Sequence, residues 1–111
     1  MIVVVFEVWP KPGRADAYFE KATALRPLLE AMDGFISVER FESVSEPGKF
    51  LSLSFWRDEA AAVAWRNQAE HKLAQATGRD ELFSNFRISV ADVQRAYDMA
   101  GNIGEDMSAG A

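Results

Sequence analysis

The spacing of apolar residues along the chain predicts four strands and two helices. Four segments rich in β-branched and aromatic side chains show the alternation of strands: residues 2–9, 35–44, 49–57 and 85–97. Two further segments repeat apolar residues every three or four positions, as helices do: residues 14–32 and 58–77. The order β-α-β-β-α-β predicts an α+β, ferredoxin-like fold, in which an antiparallel sheet carries both helices on one face.

Turn and capping residues mark the boundaries between these elements. Pro10 and Gly13 end the first strand, because proline has no backbone N–H to donate to a neighbouring strand. The dipeptide Asp33-Gly34 ends the first helix, and Asp58 is placed to cap the second. Pro27 lies inside the first helix, where we expect it to cause a kink.

Each predicted strand has one wholly apolar face. Since side chains alternate between the two faces of a strand, these positions can be read directly from the sequence. They are Ile2, Val4, Phe6 and Val8, then Ile36 and Val38, then Leu51, Leu53 and Phe55, and finally Phe86, Ile88 and Val90. We expect these four sets to lie under the helices.

The opposite face of the sheet is predicted to be a subunit interface. It too carries large apolar side chains, namely Val3, Val5, Phe35, Phe41, Phe50 and Trp56. An exposed apolar patch of this extent usually marks an interaction surface. We therefore expect a homodimer in which two sheets pack face to face.

Composition narrows the classes of function. The chain has 111 residues, of which 49% are apolar and 26% charged, as in an ordinary globular domain. It has no cysteine, which excludes disulfide scaffolds, thiolate metal sites and a cysteine nucleophile. The net charge is −5 and no basic stripe is present, so neither nucleic acid nor an anionic membrane surface is an expected partner.

The two ends of the chain lead to further expectations. The first residues lack the basic segment of a signal peptide, and no apolar run reaches the roughly 18 residues of a membrane span. We therefore expect a cytoplasmic protein. Residues 98–111 are rich in Gly, Ala and Ser without periodicity, which predicts a mobile tail after a single domain of residues 1–97.

Several segments, taken in order, resemble the antibiotic biosynthesis monooxygenase family. They are the Pro-Gly turn after the first strand, the stretch DGFISVER at residues 33–40, the stretch FWRDEA at residues 55–60, the stretch WRNQAEH at residues 65–71, and Gly78-Arg79 before the last strand. The resemblance covers nearly the whole predicted domain. It implies a dimeric α+β barrel.

The family resemblance implies two enzyme chemistries. In one, an electron-rich aromatic substrate reduces dioxygen itself, and the protein orients the substrate anion and stabilises its charge. In the other, bound haem is opened oxidatively, with an Asn on strand one, a Trp on helix two and a His as iron ligand. A fold alone does not choose between such functions.

Only the helix-two tryptophan of this family pattern is matched cleanly, by Trp65. With Gly13 as the anchor for strand one, the position of the haem branch's Asn falls on Phe6. His71 follows Trp65 by six residues, where the polyketide branch has a Tyr, whereas the haem ligand would fall nearer Gln75. An Asn expected one turn before the tryptophan is replaced by Ala61.

Trp65 and His71 are the predicted catalytic residues. His71 is the only histidine and the only side chain that titrates near neutrality without perturbation. A straight helix would turn His71 away from Trp65, so we expect an irregularity at Asn67 that brings both to one cavity. The remaining predicted substrate-binding residues, which would wall that cavity with Asn67, are Phe6, Tyr18, Phe19, Phe55 and Leu73.

Three functions remain open from the sequence. The first is a monooxygenase without a bound cofactor or metal, acting on or binding a small aromatic or quinone-type compound. The second is a haem-binding or haem-degrading monooxygenase that uses His71. The third is a non-catalytic dimeric ligand-binding or stress-response module.

Overall fold

Two helices pack on one face of a four-stranded antiparallel sheet in the computed structural model of this chain. The structure describes residues 1–76 and 82–102, and the side chains of residues 1–69 and 82–101. The elements in chain order are β1 (Ile2–Pro10), α1 (Ala15–Ala31), β2 (Phe35–Glu42), β3 (Phe50–Trp56), α2 (Glu59–Ala76), β4 (Phe83–Asp92), β5 (Tyr97–Asp98) and β6 (Gly101–Asn102).

The strand order β2-β3-β1-β4 gives the sheet its ferredoxin-like topology and confirms the predicted α+β fold. β1 and β3 are the central strands, and every neighbouring pair is antiparallel. The predicted boundaries of β1, α1, β2 and β3 agree with the structure to within two residues at each end. Pro27 lies inside α1, which continues through it. No helix in the described part of the chain is both long and apolar enough to cross a membrane.

The last strand is shorter than the sequence pattern predicted. β4 ends at Asp92, after which the Val93 N–H donates to the Met1 carbonyl at 3.0 Å. Residues 97–102 then form a small hairpin, whose turn is closed by Asp98 Oδ1 accepting from the Ala100 and Gly101 N–H groups. The start of the predicted tail is therefore folded back on itself. Residues 103–111 lie outside the described residues.

The predicted faces of β3 are reversed in the structure. β1 pairs with β3 so that Ile2 lies opposite Trp56 and Val8 opposite Phe50, which places the even-numbered residues of β3 under the helices. Leu51, Leu53 and Phe55 therefore lie on the open face. The prediction failed because it assigned the more uniformly apolar set to the helices, although both sets contain large apolar residues.

A bulge in β2 corrects two more face assignments. Phe35 pairs with Trp56 and Ser37 with Phe55, so one extra residue, Ile36, stands in β2 at this point. As a result, Phe35 joins Val38 on the helix-covered face instead of pointing away from it. A strict alternation of side chains cannot reveal such a bulge.

Trp56 lies at the centre of the larger packing cluster, not at a subunit interface as predicted. Its side chain is fully buried, and its Nε1–H donates to Ser54 Oγ at 2.9 Å. Phe35 contacts it edge-on at 5.6 Å between ring centroids, and Trp65 of α2 stacks on it at 6.5 Å. In this cluster, Leu29 of α1 and Ala61 and Ala62 of α2 pack against the sheet, so both helices contact the same end of it.

The end of α1 and the start of α2 pack closely together at Gly34. Gly34 has a φ of +86°, and a Cβ atom built there would lie 2.6 Å from the Ala61 Cβ, so this position excludes any side chain. Arg57 makes a two-point contact with Asp33, at 3.2 and 3.0 Å. Asp58 caps α2 as predicted, with Oδ1 accepting from the Ala61 N–H at 2.9 Å.

The open face of the sheet combines an apolar centre with one group of charges. The apolar side chains on this face, by strand alternation, are Val3, Val5, Phe41, Leu51, Leu53 and Phe55. Beside them, Glu7 accepts from Arg87 Nε at 2.6 Å and pairs with Lys49 Nζ at 2.9 Å. These two cations lower the pKa of Glu7 from 4.5 to about 2.

The depressed pKa of Glu7 predicts a loss of stability in acid. A carboxyl group whose pKa is lower in the folded protein than in the unfolded chain stabilises the fold at any pH above its unfolded-state pKa, here 4.5. That stabilisation is lost as the pH falls toward the folded pKa of about 2. In urea titrations across this range, Glu7→Gln should show a shallower fall in unfolding free energy than the wild type. Glu20→Gln, at an exposed position of α1, is the control and should show the wild-type dependence of unfolding free energy on pH. A Glu7→Gln variant whose unfolding free energy falls as steeply as that of the wild type would contradict the prediction.

Candidate functional site

A cavity of about 610 Å³ lies between the helices and the covered face of the sheet. α1 and α2 form its roof, and the covered side chains of all four long strands form its floor. Its wall is largely apolar, and the volume falls within the range of small-molecule sites in proteins. The cavity exists because the floor of β3 carries Ser52 and Ser54, which are too small to fill the space beneath the helices.

Trp65 forms one wall of the cavity and belongs to the core at the same time. One side of its indole stacks on Trp56, with the two ring planes 24° apart. The small residues Ala62 and Ala69, one turn before and after it on α2, also line the cavity. A flat aromatic wall between small neighbours suits a planar ligand.

A second group of aromatic rings closes the cavity at the β1–β4 side. Phe6 contacts Phe83 and Phe86, at 6.2 and 5.8 Å between ring centroids. Tyr18 of α1 packs edge-on against Phe83 at 5.6 Å. These rings belong to the second packing cluster, which also contains the fully buried Val8.

The polar groups of the cavity gather where α1 faces β2 and β3. Tyr18 is buried, with 6% of its surface exposed, and burial raises the pKa of its hydroxyl. The positive charge of Arg40 acts in the opposite direction on that pKa, so the two groups are close enough to interact. Arg40 lies directly opposite Ser52 in the sheet register. These three residues form the polar end of the cavity, whose lining also includes the charged residues Lys21, Arg26, Glu59 and Arg66.

The structure brings together three of the predicted site residues and separates others. Phe6, Tyr18 and Trp65 line the same cavity. Phe19 does not line the cavity but packs next to it, with its ring centroid 5.3 Å from that of Tyr18 and 4.7 Å from that of Phe50. Phe55 lies on the opposite face of the sheet, because the faces of β3 are reversed from the prediction.

The irregularity expected at Asn67 is absent, and this prediction is wrong. α2 runs without interruption from Glu59 to Ala76, and Asn67 is exposed on it. Asparagine is tolerated there because an exposed helical position leaves its side chain free to bond with water. The side chains of His71 and Leu73 lie outside the described residues, so their place in the cavity stays a prediction.

Sequence reasoning missed the polar end of the cavity. Arg40 follows Val38 at the strand spacing of two, so the alternation assigned to β2 already placed it under the helices. Ser52 and Ser54 were placed on the open face by the reversed assignment of β3. Phe83 and the fully buried Leu82 were missed because they precede the predicted start of the last strand.

The haem branch of the resemblance finds little support in this cavity wall. The position of its Asn is Phe6, whose side chain offers no hydrogen bond and packs against Phe83 and Phe86. The side chain of His71, the candidate iron ligand, lies outside the described residues, so the haem alternative stays a prediction.

An apolar chamber of this volume is typical of a site for a small organic molecule. Residues 1–77 of the chain match the family model described as antibiotic biosynthesis monooxygenase. This match covers more than half of the chain, which therefore belongs to that family.

Two curated relatives extend the comparison. The chain is 46% identical over 93 residues to a Pyricularia oryzae protein named jasmonate monooxygenase, and the match covers 84% of this chain and 43% of that protein. It therefore spans less than half the length of that relative. An uncharacterised Bacillus subtilis protein is 30% identical over 78 residues, which are 70% of this chain and 67% of the relative.

Solved structures share the fold at low sequence identity. A Nitrosomonas europaea protein of unknown function superposes with a TM-score of 0.72 at 22% identity, covering 90% of this chain and 95% of the other. A Mycobacterium tuberculosis protein gives a TM-score of 0.73 at 18% identity, covering 87% of this chain and 98% of the other. These similarities support the fold alone.

Proposed function

We propose that this domain is a monooxygenase that binds a small, largely apolar aromatic or quinone-type substrate in the cavity beneath its helices. The observation that carries the proposal is the 610 Å³ chamber, walled by Trp65, in a chain of this family. A cavity of this size buries a ligand of two or three fused rings. The ligand would lie against the exposed face of the Trp65 indole.

The proposed reaction uses the electrons of the substrate and needs no bound cofactor. A CH₂ group made acidic by neighbouring phenol or carbonyl groups loses a proton, and the carbanion reduces dioxygen to a hydroperoxide at that carbon. Loss of water then leaves a ketone, so that R₂CH₂ and O₂ give R₂C=O and H₂O. The protein excludes water, orients the ring and stabilises the negative charge. The proton returns to the peroxide oxygen in the second step. No side chain is assigned as the proton acceptor, because α2 lacks the irregularity that would bring His71 to the Trp65 side of the helix.

The relative from Pyricularia oryzae favours a second substrate class. That relative, at 46% identity, is named for its activity on jasmonate, which supports a cyclopentanone carboxylic acid as an alternative to an aromatic polyketide. The ring ketone of such a compound makes the neighbouring C–H groups acidic, so the same carbanion chemistry applies. A chamber of about 610 Å³ has room for a small ring with an apolar side chain.

Oxygen uptake by the purified protein tests the proposal. A panel of anthrone-type phenols and jasmonate should give uptake matched by incorporation of one labelled oxygen atom into the product. Trp65→Phe, which shrinks the aromatic wall, should raise KM by roughly three- to tenfold, since an aromatic contact contributes about 0.5–1.5 kcal/mol.

Ala22→Phe provides a control, because Ala22 lines the cavity from α1 and belongs to the packing cluster that does not contain Trp65. It should abolish uptake while the protein remains folded. Tight binding of panel compounds without oxygen uptake would contradict the proposed activity and favour the non-catalytic module. A haem absorption band in the purified protein that His71→Ala removes would favour the haem-binding alternative.

We also propose that the domain forms a homodimer through the open face of its sheet. Both helices pack on the other face, so the apolar side chains at the centre of the open face are left for a partner. The corrected face of β3 strengthens this expectation. It removes Phe50 and Trp56 from the open face and places three apolar residues of β3 there: Leu51, Leu53 and Phe55.

A further inference from the structure

Arg40 is a cation in the cavity wall without an ionic partner among the described residues. It lies half-buried on the covered face of β2, opposite Ser52, and its guanidinium lies 5.9 Å from the centroid of the Phe19 ring. Three other arginines each pair with a carboxylate: Arg26 with Glu30, Arg57 with Asp33, and Arg87 with Glu7. Arg14, Arg66 and Arg95 have no ion pair within the described part of the chain either, but all three are exposed. Arg40 is therefore set apart by its half-buried place in the cavity wall.

Tyr18 supplies a second unused polar group at the same end of the cavity. Its hydroxyl is on a buried side chain, and no hydrogen bond to it is found within the described part of the chain. A buried hydroxyl or cation without a partner is costly, and such groups in native proteins are normally satisfied. The buried Tyr18 hydroxyl and the half-buried Arg40 guanidinium beside one cavity point to a bound molecule as the partner.

The charges around the cavity favour a negative ligand. Its described lining contains four basic side chains, Lys21, Arg26, Arg40 and Arg66, and one acidic side chain, Glu59. This excess contrasts with the net charge of −5 of the whole chain. The local positive potential raises the concentration of anions at the cavity and opposes cations.

We propose that the cavity binds an amphipathic acid, with its carboxylate held by Arg40 and Tyr18 and its apolar body lying against Trp65. The proposal rests on the proposed function and specifies the substrate class for the same cavity. Arginine is suited to this task, because its planar guanidinium matches both oxygens of a carboxylate.

Two fluorescent dyes with the same aromatic body separate charge from apolar contact. Anilinonaphthalene sulfonate carries an anionic group, and phenylnaphthylamine is its neutral parent. Arg40→Gln should weaken binding of the sulfonate dye by at least about tenfold, the usual size of a lost charge-assisted hydrogen bond, and binding of the neutral dye by less than about twofold. Arg14→Gln is the matched control, since Arg14 is exposed and lies outside the cavity lining, so this variant should change both affinities by less than about twofold.

Two further variants secure this result. Ala22→Phe should abolish binding of both dyes, which places them in the cavity and not on the open sheet face. Arg40→Lys should retain most of the sulfonate affinity if Arg40→Gln acts through charge. Equal weakening of both dyes in Arg40→Gln, unchanged sulfonate binding in that variant, or sulfonate binding that survives Ala22→Phe would each overturn the proposal.

A competition experiment on the wild-type protein requires no substitution. Jasmonate should displace the neutral dye at concentrations at least about tenfold lower than its methyl ester, which has the same body without the charge. Equal displacement by the two, or displacement by neither, contradicts a carboxylate site. These measurements need no turnover, so a protein that prefers anions but consumes no oxygen would refute the proposed function alone. Turnover without anion preference would refute this inference alone.

Discussion

Trp56→Ala should unfold the domain or leave it barely stable. The side chain is fully buried and contacts Phe35, Trp65 and Ser54, so its removal leaves a large void where both helices meet the sheet. Truncation of a buried tryptophan costs about 3–5 kcal/mol, against a total stability of roughly 5–15 kcal/mol for a typical domain. Thermal unfolding followed by circular dichroism should show a melting temperature lowered by more than about 10 °C.

Trp9→Ala provides the comparison for this experiment. Trp9 lies at the end of β1, where its Nε1–H donates to Glu46 and Lys49 lies 4.7 Å from its ring centroid. Because Trp9 is half-buried and outside both packing clusters, its truncation should cost clearly less than that of Trp56. If Trp9→Ala and Trp56→Ala lowered the melting temperature equally, burial in the core would not determine how much stability is lost when a tryptophan is truncated.

Leu53→Asp should convert the proposed dimer to a monomer. Leu53 lies on the open face of a central strand, between Val5 of β1 and Glu39 of β2. An aspartate there would place an unpaired carboxylate in the interface, which costs at least about 2–3 kcal/mol for each subunit and weakens association by more than about 100-fold. Light scattering at micromolar concentration should report half the wild-type mass.

Leu28→Asp serves as the matched control for Leu53→Asp. Leu28 is an exposed leucine of α1, on the helical side of the sheet, so this substitution should leave the dimer intact. Circular dichroism on both variants distinguishes dissociation from unfolding. A wild-type protein that is already monomeric, or a Leu53→Asp variant that remains dimeric, would exclude the open face as the interface.

The sequence predicted the elements well because their signals are local. The alternation of β1, the Asp33-Gly34 stop and the Asp58 cap each depend on neighbouring residues, and the structure contains all three. The family resemblance, confirmed by the match over residues 1–77, also depended on short segments in order. The fold could therefore be predicted without knowing any long-range contact.

The cavity was harder to predict, because it depends on which face of each strand is covered. Leu51, Leu53 and Phe55 are more apolar than the alternate set in β3, yet they point away from the helices. The covered set contains two serines because this side bounds a chamber and is not filled. Hydrophobicity identifies the helix-covered face of a strand only when the other face is exposed to water. Here one face packs under the helices and the other is the proposed dimer interface, so both are apolar.

The hydrogen bond between Trp56 and Ser54 has a consequence for how the cavity recognises ligands. A hydroxyl can accept twice but donate only once, and the Ser54 oxygen already accepts from the indole. Its own hydrogen is therefore turned away from Trp56 and is available as a donor in the cavity wall. With the guanidinium of Arg40 and the hydroxyl of Tyr18, the chamber presents mostly donors. A ligand whose polar atoms are all acceptors, such as a ketone or a carboxylate, complements that wall, whereas an amine or an alkylammonium group would find few partners.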